Sequence, residues 1–255
     1  MGIYNCAPTL QEALDSLYAQ TFQDFKIILC DDGSHDNTYQ IAEDNARLHP
    51  NIVLIKNEKN MGLNYTLNHC LEYADTEYVA RMDGDDISLP ARFEKESKFL
   101  DGHPEFAVVS TPMIYFDEDG DYKKGFGKGE IHADDFIKGT PICHAPCMGR
   151  KIAFDAVGRY SVDERLLRVE DYHLWFKMFA QGYKLYMLNE CLYKMRDDRN
   201  AVARRNWMNR RNEAYVKHIG YKMIGLPLYT QIYSIIPILK FFAPQFVYKF
   251  IHYRK

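Results

Sequence analysis

The chain is predicted to fold as α/β, with a mostly parallel sheet covered by helices on both faces and a helical C-terminal tail, and three observations predict this. Short apolar runs, KIILCD, IVLIKN, YVARMD and FAVVS, alternate with segments of helical period through about residue 112. Strands that are apolar throughout belong to sheets buried on both faces. The runs also stop in turn chemistry, DDGS and DGDD, and in such sheets ligands sit beyond the carboxyl ends of the strands. Third, charge is segregated: residues 1–195 hold 20 Lys and Arg against 32 Asp and Glu, while residues 196–255 hold 12 against 3, inside a total of -3. An acidic body thus carries a basic tail.

Taken in order, Pro8-Thr9 opens a helix whose Leu10, Leu14 and Leu17 form one stripe. KIILCD (residues 26–31) is a buried strand, followed by a helix over about 38–49. IVLIKN (52–57) is the next strand, and Asn60-Met61-Gly62 leads into a helix over 63–73. YVARMD (78–83) is a third strand and FAVVS (106–110) a fourth, with Pro90 at the first turn of the helix between them. Residues 122–129, rich in Gly and Lys, read as a loop or hairpin edge. EDYHLWFKMFAQG is a helix that turns Leu174, Trp175, Met178 and Phe179 to the core and ends on Gly182. Three regions are expected: 1–112, ending in the acidic turn; 113–195, the second half of the same domain; and 196–255, the basic helical tail.

Composition narrows the function classes. At 255 residues, 47% hydrophobic and 26% charged, the chain can bury a full core. Six cysteines lie without CxxC pairs, which reads as a reducing, cytoplasmic setting. Cys143 and Cys147 flank His144, but no second ligand pair follows at useful spacing for zinc. A signal peptide and an N-terminal lipidation motif are not expected, since the start lacks a basic flank and apolar core and Ala7 stands where Ser or Thr is required. In the tail, Pro237, Lys240 and Pro244 interrupt every apolar run before the roughly 20 residues of a membrane span. Mixed Tyr, Phe, Ile and Lys suit a helix in the membrane interface on the inner face of the cell membrane, reached through residues 226–255. The alternative is a helical pair packed on the body of the chain or on a second subunit of a homodimer. No nucleic-acid partner is expected.

Asp83-Gly84-Asp85 follows a strand, and carboxylates around a glycine suit a hard divalent cation, Mg²⁺ or Mn²⁺. Alone this is weak, because acidic turns are common on surfaces. Likewise Glu170-Asp171 at a helix start has a plain reading, favourable interaction with the helix dipole.

The segments YNCAPTLQEALDSLYAQTFQDFKIILCDDGSHDNT, NEKNMGLNYTLNHCLEYADTEYVARMDGDDISLPARFEK, PICHAPCMGRK with GRYS, and VEDYHLWFKM are each similar to a motif of the inverting glycosyltransferase family 2, of GT-A fold. Order and spacing agree from Tyr4 to about Arg196. The resemblance implies a Rossmann-like sheet, a nucleotide-sugar donor, a Mn²⁺ or Mg²⁺ cofactor and a glycan or lipid-linked acceptor. It implies that Tyr4 lines the base pocket, that Asp32 hydrogen-bonds the base and that Asp31 shapes its loop. Asp83 and Asp85 are implied to hold the metal against the diphosphate with Asp86 sharing that role, and Asp171 is implied to be the general base. Arg81 is a candidate for the diphosphate or a neighbouring carboxylate, and Arg92 for anchoring the metal loop. His144, Glu170 and Trp175 are candidates for acceptor or donor contacts; for Trp175, on the core stripe, packing is the stronger reading.

Two departures from the family pattern stand out. Only Met1-Gly2-Ile3 precede the YN pair where members carry a full apolar strand, which is expected to mean either that the sequence begins late or that the sheet is compromised near its centre. Leu67 stands where many members carry Arg near the nucleotide. The competing readings are an inactive nucleotide-sugar-binding or membrane scaffold protein, a nucleotidyltransferase and a phosphatase. YNCAPT is not the basic, Gly-rich loop the nucleotidyltransferase needs, and a phosphatase would place its acidic pair after the first strand.

Overall fold

The computed structural model describes residues 1–197 and 206–242. The first half alternates as expected: β1 (Gly2–Ile3), α1 (Ala7–Tyr18), β2 (Ile27–Asp31), α2 (Thr38–Leu48), β3 (Ile52–Lys56) and α3 (Leu63–Glu72). β1, β2 and β3 pair in parallel in that order. Leu10, Leu14 and Leu17 of α1 are buried together with Leu29 of β2 and Ala42 of α2, so the stripe read from the sequence is the packed face. Each such leucine contributes about 1.5–3 kcal/mol by leaving water.

From there the pairing becomes mixed. β4 (Tyr78–Ala80), β5 (Ile87–Ser88), α4 (Arg92–Gly102), β6 (Phe106–Ser110), β7 (Met113–Asp117), β8 (Gly120–Lys124) and β9 (Gly129–Glu130) are followed by α5 (Asp135–Lys138), β10 (Met148–Arg150) and α6 (Lys151–Ala156). Next come α7 (Glu170–Ala180), β11 (Lys184–Met187) and β12 (Tyr193–Arg196). A five-stranded sheet runs β4-β10-β6-β11-β9, in which β10 is antiparallel to both neighbours and β11 parallel to β6. A smaller sheet runs β5-β12-β7-β8, and its β7–β8 hairpin holds the front of the stretch expected to be a loop or hairpin edge. β10 and β12 escaped the sequence reading because each is short and pairs across long sequence separations.

β1 spans two residues, and β1 and β4 are end strands of separate ladders. Between them lies an apolar slot of about 260 Å³, walled by Ile27 and Ile28 of β2, Val79 of β4, Leu67 of α3 and Phe93 of α4. Above the slot the halves touch again, where the Thr9 hydroxyl donates to the Gly84 carbonyl at 3.0 Å.

The tail begins as expected with a helix, α8 (Trp207–Met223), and continues into α9 (Ile232–Phe242), which contains Pro237. α8 packs on α7 at Gly220, where a Cβ would come within 2.3 Å of the Phe176 ring; any larger residue there separates the helices. Ile232, Ile235, Leu239 and Phe242 of α9 are exposed. No helix among the described residues is long and apolar enough to cross a membrane. Residues 243–255 of the expected membrane contact lie outside the described residues.

Candidate active site

The carboxyl ends of β1, β2 and β4 and the start of α7 converge on one face. After β1, Asn5 takes a left-handed conformation (φ 47°). Its N–H donates to Ser34 Oγ at 3.0 Å, and its Oδ1 accepts from His35 N at 2.9 Å. This clasp fixes Tyr4, 43% exposed, at the mouth of a cavity of about 380 Å³ that Asp32, Gly62, Arg168, Glu170 and Asn209 also line.

Asp31 and Asp32 divide labour along β2. Asp31 is fully buried, its Oδ2 accepts from Ser34 N at 3.2 Å, and its Oδ1 has no partner, so it shapes the turn. Asp32 Oδ1 accepts from Asn57 Nδ2 and Met61 N, both at 2.8 Å, and Oδ2 from Gly62 N at 2.9 Å. A carboxylate offers about four acceptor positions. Asp32 therefore folds the 57–62 loop around itself and keeps room for one further donor from the cavity.

The acidic turn is held from behind. Gly84 is required there, since a Cβ would approach Cys6 Sγ to 2.8 Å. The ligand oxygens of Asp83, Asp85 and Asp86 lie within 4.8 Å of one another. Asp86 is buried and both its oxygens are engaged, Oδ2 by the Tyr193 hydroxyl and Oδ1 by Arg196 N, each at 2.8 Å. Its first commitment is thus to β12, as an anchor for the loop. Arg196 Nε also donates to the Asp85 carbonyl at 3.0 Å. Burial, then repulsion from Asp83, raises the Asp85 carboxyl above the ordinary range, and burial with both neighbours pushes Asp86 up to about 7. Three carboxylates crowded this closely form an oxygen donor set whose mutual repulsion a hard dication relieves, so the residues fit Mg²⁺ or Mn²⁺.

Arg81 and Arg92 stiffen this loop. Arg81 Nη2 donates to Asp83 Oδ1 at 2.5 Å. Arg92, fully buried, donates Nε to Glu96 Oε2 at 3.1 Å and Nη2 to the Arg81 carbonyl at 2.8 Å. It anchors the backbone, as the LPARF stretch led one to expect, and lies too deep to meet substrate.

At the start of α7, Glu170 is 8% exposed and faces the cavity, and Asp171 is half-buried beside Thr140. Burial raises the Asp171 carboxyl, and the backbone N–H of Tyr172 and the Arg81 charge oppose that rise. His144 Nε2 pairs with the Tyr160 hydroxyl at 2.7 Å, and burial followed by Arg81 keeps the ring neutral. Trp175 follows the stronger of its two readings: its ring is fully buried, in edge contact with His144 at 5.9 Å, so it packs and presents no face to a sugar, and the weaker reading of a sugar contact falls. Sequence reasoning missed Tyr193, Arg196, Tyr160 and Glu96. Only Glu96, four residues after Arg92 on one helix, carried a local signal.

Comparison with known proteins places these features in a lineage. The sequence profile of Glycosyl transferase family 2 matches residues 1–158. A Bacillus subtilis (strain 168) protein, EpsE, which carries the glycosyltransferase name, is 38% identical over 256 residues, covering 100% of this chain and 92% of its own. The amylovoran biosynthesis glycosyltransferase AmsE of Erwinia amylovora is 31% identical over 250 residues, covering 94% and 92%. Among solved structures, S. aureus TarS (residues 1–349) in complex with UDP-GlcNAc superposes with a TM-score of 0.72 at 18% identity, covering 94% of this chain and 69% of that one.

Proposed function

This chain belongs to glycosyl transferase family 2, and from that premise we propose that it is a metal-dependent, inverting glycosyltransferase that moves a sugar from a UDP-linked donor to a glycan or lipid-linked acceptor in surface polysaccharide synthesis. The observation that carries the reading is that Arg81 pairs with Asp83 of the Asp83-Asp85-Asp86 cluster and shares its field with Asp171, whose neighbour Glu170 lines one cavity with Tyr4 and Asp32. The UDP-GlcNAc complex of TarS and the biosynthetic name of AmsE support the donor and acceptor classes.

In this reading Tyr4 flanks the base and Asp32 accepts from it. A divalent cation held by Asp85 and Asp83, with Asp86 behind them, supplies Lewis-acid stabilisation of the diphosphate leaving group. Arg81 adds positive charge on the same side. Asp171 takes the proton of the acceptor hydroxyl as that oxygen bonds the anomeric carbon and the bond to the diphosphate oxygen breaks, inverting the centre. Retention of every charged group argues against an inactive scaffold. The test is a screen of nucleotide sugars with and without Mn²⁺: turnover of a UDP-sugar that stops on chelation is expected, and turnover indifferent to chelation refutes metal dependence.

The same proposal places the enzyme peripherally on the inner membrane face. It is supported by the outward Ile232, Ile235, Leu239 and Phe242 with Lys240 among them, an apolar face with a basic rim. Full-length protein is expected to float with anionic phosphatidylglycerol vesicles, and Ile235→Asp with Leu239→Asp to abolish flotation. Unchanged flotation of the double variant would favour packing against protein.

A further inference from the structure

Arg81 is placed unusually for a cation beside a metal site. Its side chain is 9% exposed, Nη2 contacts Asp83 Oδ1 at 2.5 Å and Nε has no partner. Arg92 ties its backbone carbonyl at 2.8 Å, so the guanidinium cannot withdraw by a shift of the strand. It borders the three-carboxylate cluster on one side and, on the other, shares the field of Asp171 and a neutral His144. A dication joining Asp83 therefore meets a fixed positive charge of the same protein at close range, where water screens little.

We propose that Arg81 is the resident counter-charge of the acidic cluster, competing with the divalent cation for Asp83, so that the cation binds weakly alone and tightly only together with a nucleoside diphosphate. The inference rests on the metal-dependent reading above. The diphosphate brings negative charge that offsets both cations at once. Binding of metal and nucleotide becomes synergistic, and the linkage is reciprocal: whatever factor UDP adds to Mn²⁺ affinity, Mn²⁺ adds to UDP affinity.

The test is Mn²⁺ titration of the full chain followed by electron paramagnetic resonance of free Mn²⁺, with and without UDP. Wild type is expected to bind Mn²⁺ alone weakly and about tenfold or more tightly with UDP. Arg81→Gln is expected to bind Mn²⁺ alone about tenfold more tightly than wild type and to lose most of the synergism, while Arg81→Lys stays near wild type. Equal or weaker Mn²⁺ affinity in Arg81→Gln overturns the inference and leaves the metal-dependent reading standing. Absence of Mn²⁺ uptake by wild type even with UDP overturns both. If Arg81→Gln fails to fold, Arg81→Met takes its place with the same two expectations, and tight Mn²⁺ binding by wild type that UDP does not improve also sinks the competition.

Discussion

Asp171→Asn is expected to lower kcat by about 10²–10⁴-fold, the usual contribution of a positioned general base, with UDP-sugar affinity unchanged. The amide fills the same space at the start of α7 but cannot take a proton. Asp171 is raised chiefly by burial, which fixes the sign of two further readouts. The base works ionised, so the acid limb of the wild-type pH–rate profile should lie above the ordinary carboxylate range, and activity should fall as pH drops through it. For stability the sign is opposite. A carboxyl raised on folding supports the fold below its unfolded pKa and loses that support as pH rises through the folded pKa. At neutral pH the charged form is thus a burden, and Asp171→Asn should melt at the same or a higher temperature. Loss of donor binding or a lower melting point would move Asp171 from catalysis to structure; isothermal titration with a UDP-sugar and a melting scan decide.

Asp85→Ala should have the second large effect, for a different reason. Asp85 is the most exposed of the three, and its carboxylate is free of the hydrogen bonds from Tyr193 and Arg196 that engage Asp86 and from Arg81 that engage Asp83. Its removal should leave the loop in place while losing several kcal/mol of leaving-group stabilisation, about 10³-fold in kcat/KM or more. Mn²⁺-dependent UDP binding should weaken with it. Asp86→Ala, by contrast, should also lower the melting temperature, because the Tyr193 hydroxyl and Arg196 N–H lose their acceptor. If Asp85→Ala retains full metal-dependent binding, the assignment of the ligands is wrong.

What could be read from the sequence was whatever is encoded over short distances. KIILCD and FAVVS announce buried strands through their own composition, and β2 and β6 fall within them. The acidic turn is contiguous, and Asp171 opens a helix with strong apolar period. What could not be read depends on contacts between distant segments. Tyr193 meets Asp86 across 107 positions and Arg196 meets it across 110, and nothing in either strand's periodicity points to a partner. The same limit explains Asp32: three protein donors converge on it only after the 57–62 loop folds over. Trp175 illustrates the reverse case, where a residue chemically suited to stacking on sugars is claimed by the core because α7 turns that stripe inward.

The slot between β1 and β4 has a mechanical meaning. Backbone ladders resist sliding because each hydrogen bond is directional, whereas apolar side chains slip past one another at little cost until they lose contact. Across this seam the load passes through α3 and α4 packing and through side-chain hydrogen bonds such as Thr9 to Gly84, Gln20 to Ser88 and Ser88 to Ser16. Tyr4 and Asp32, at the cavity proposed for the base, stand on one bank and the acidic turn on the other. A donor bound to both would span the seam and act as the brace that the sheet itself does not provide.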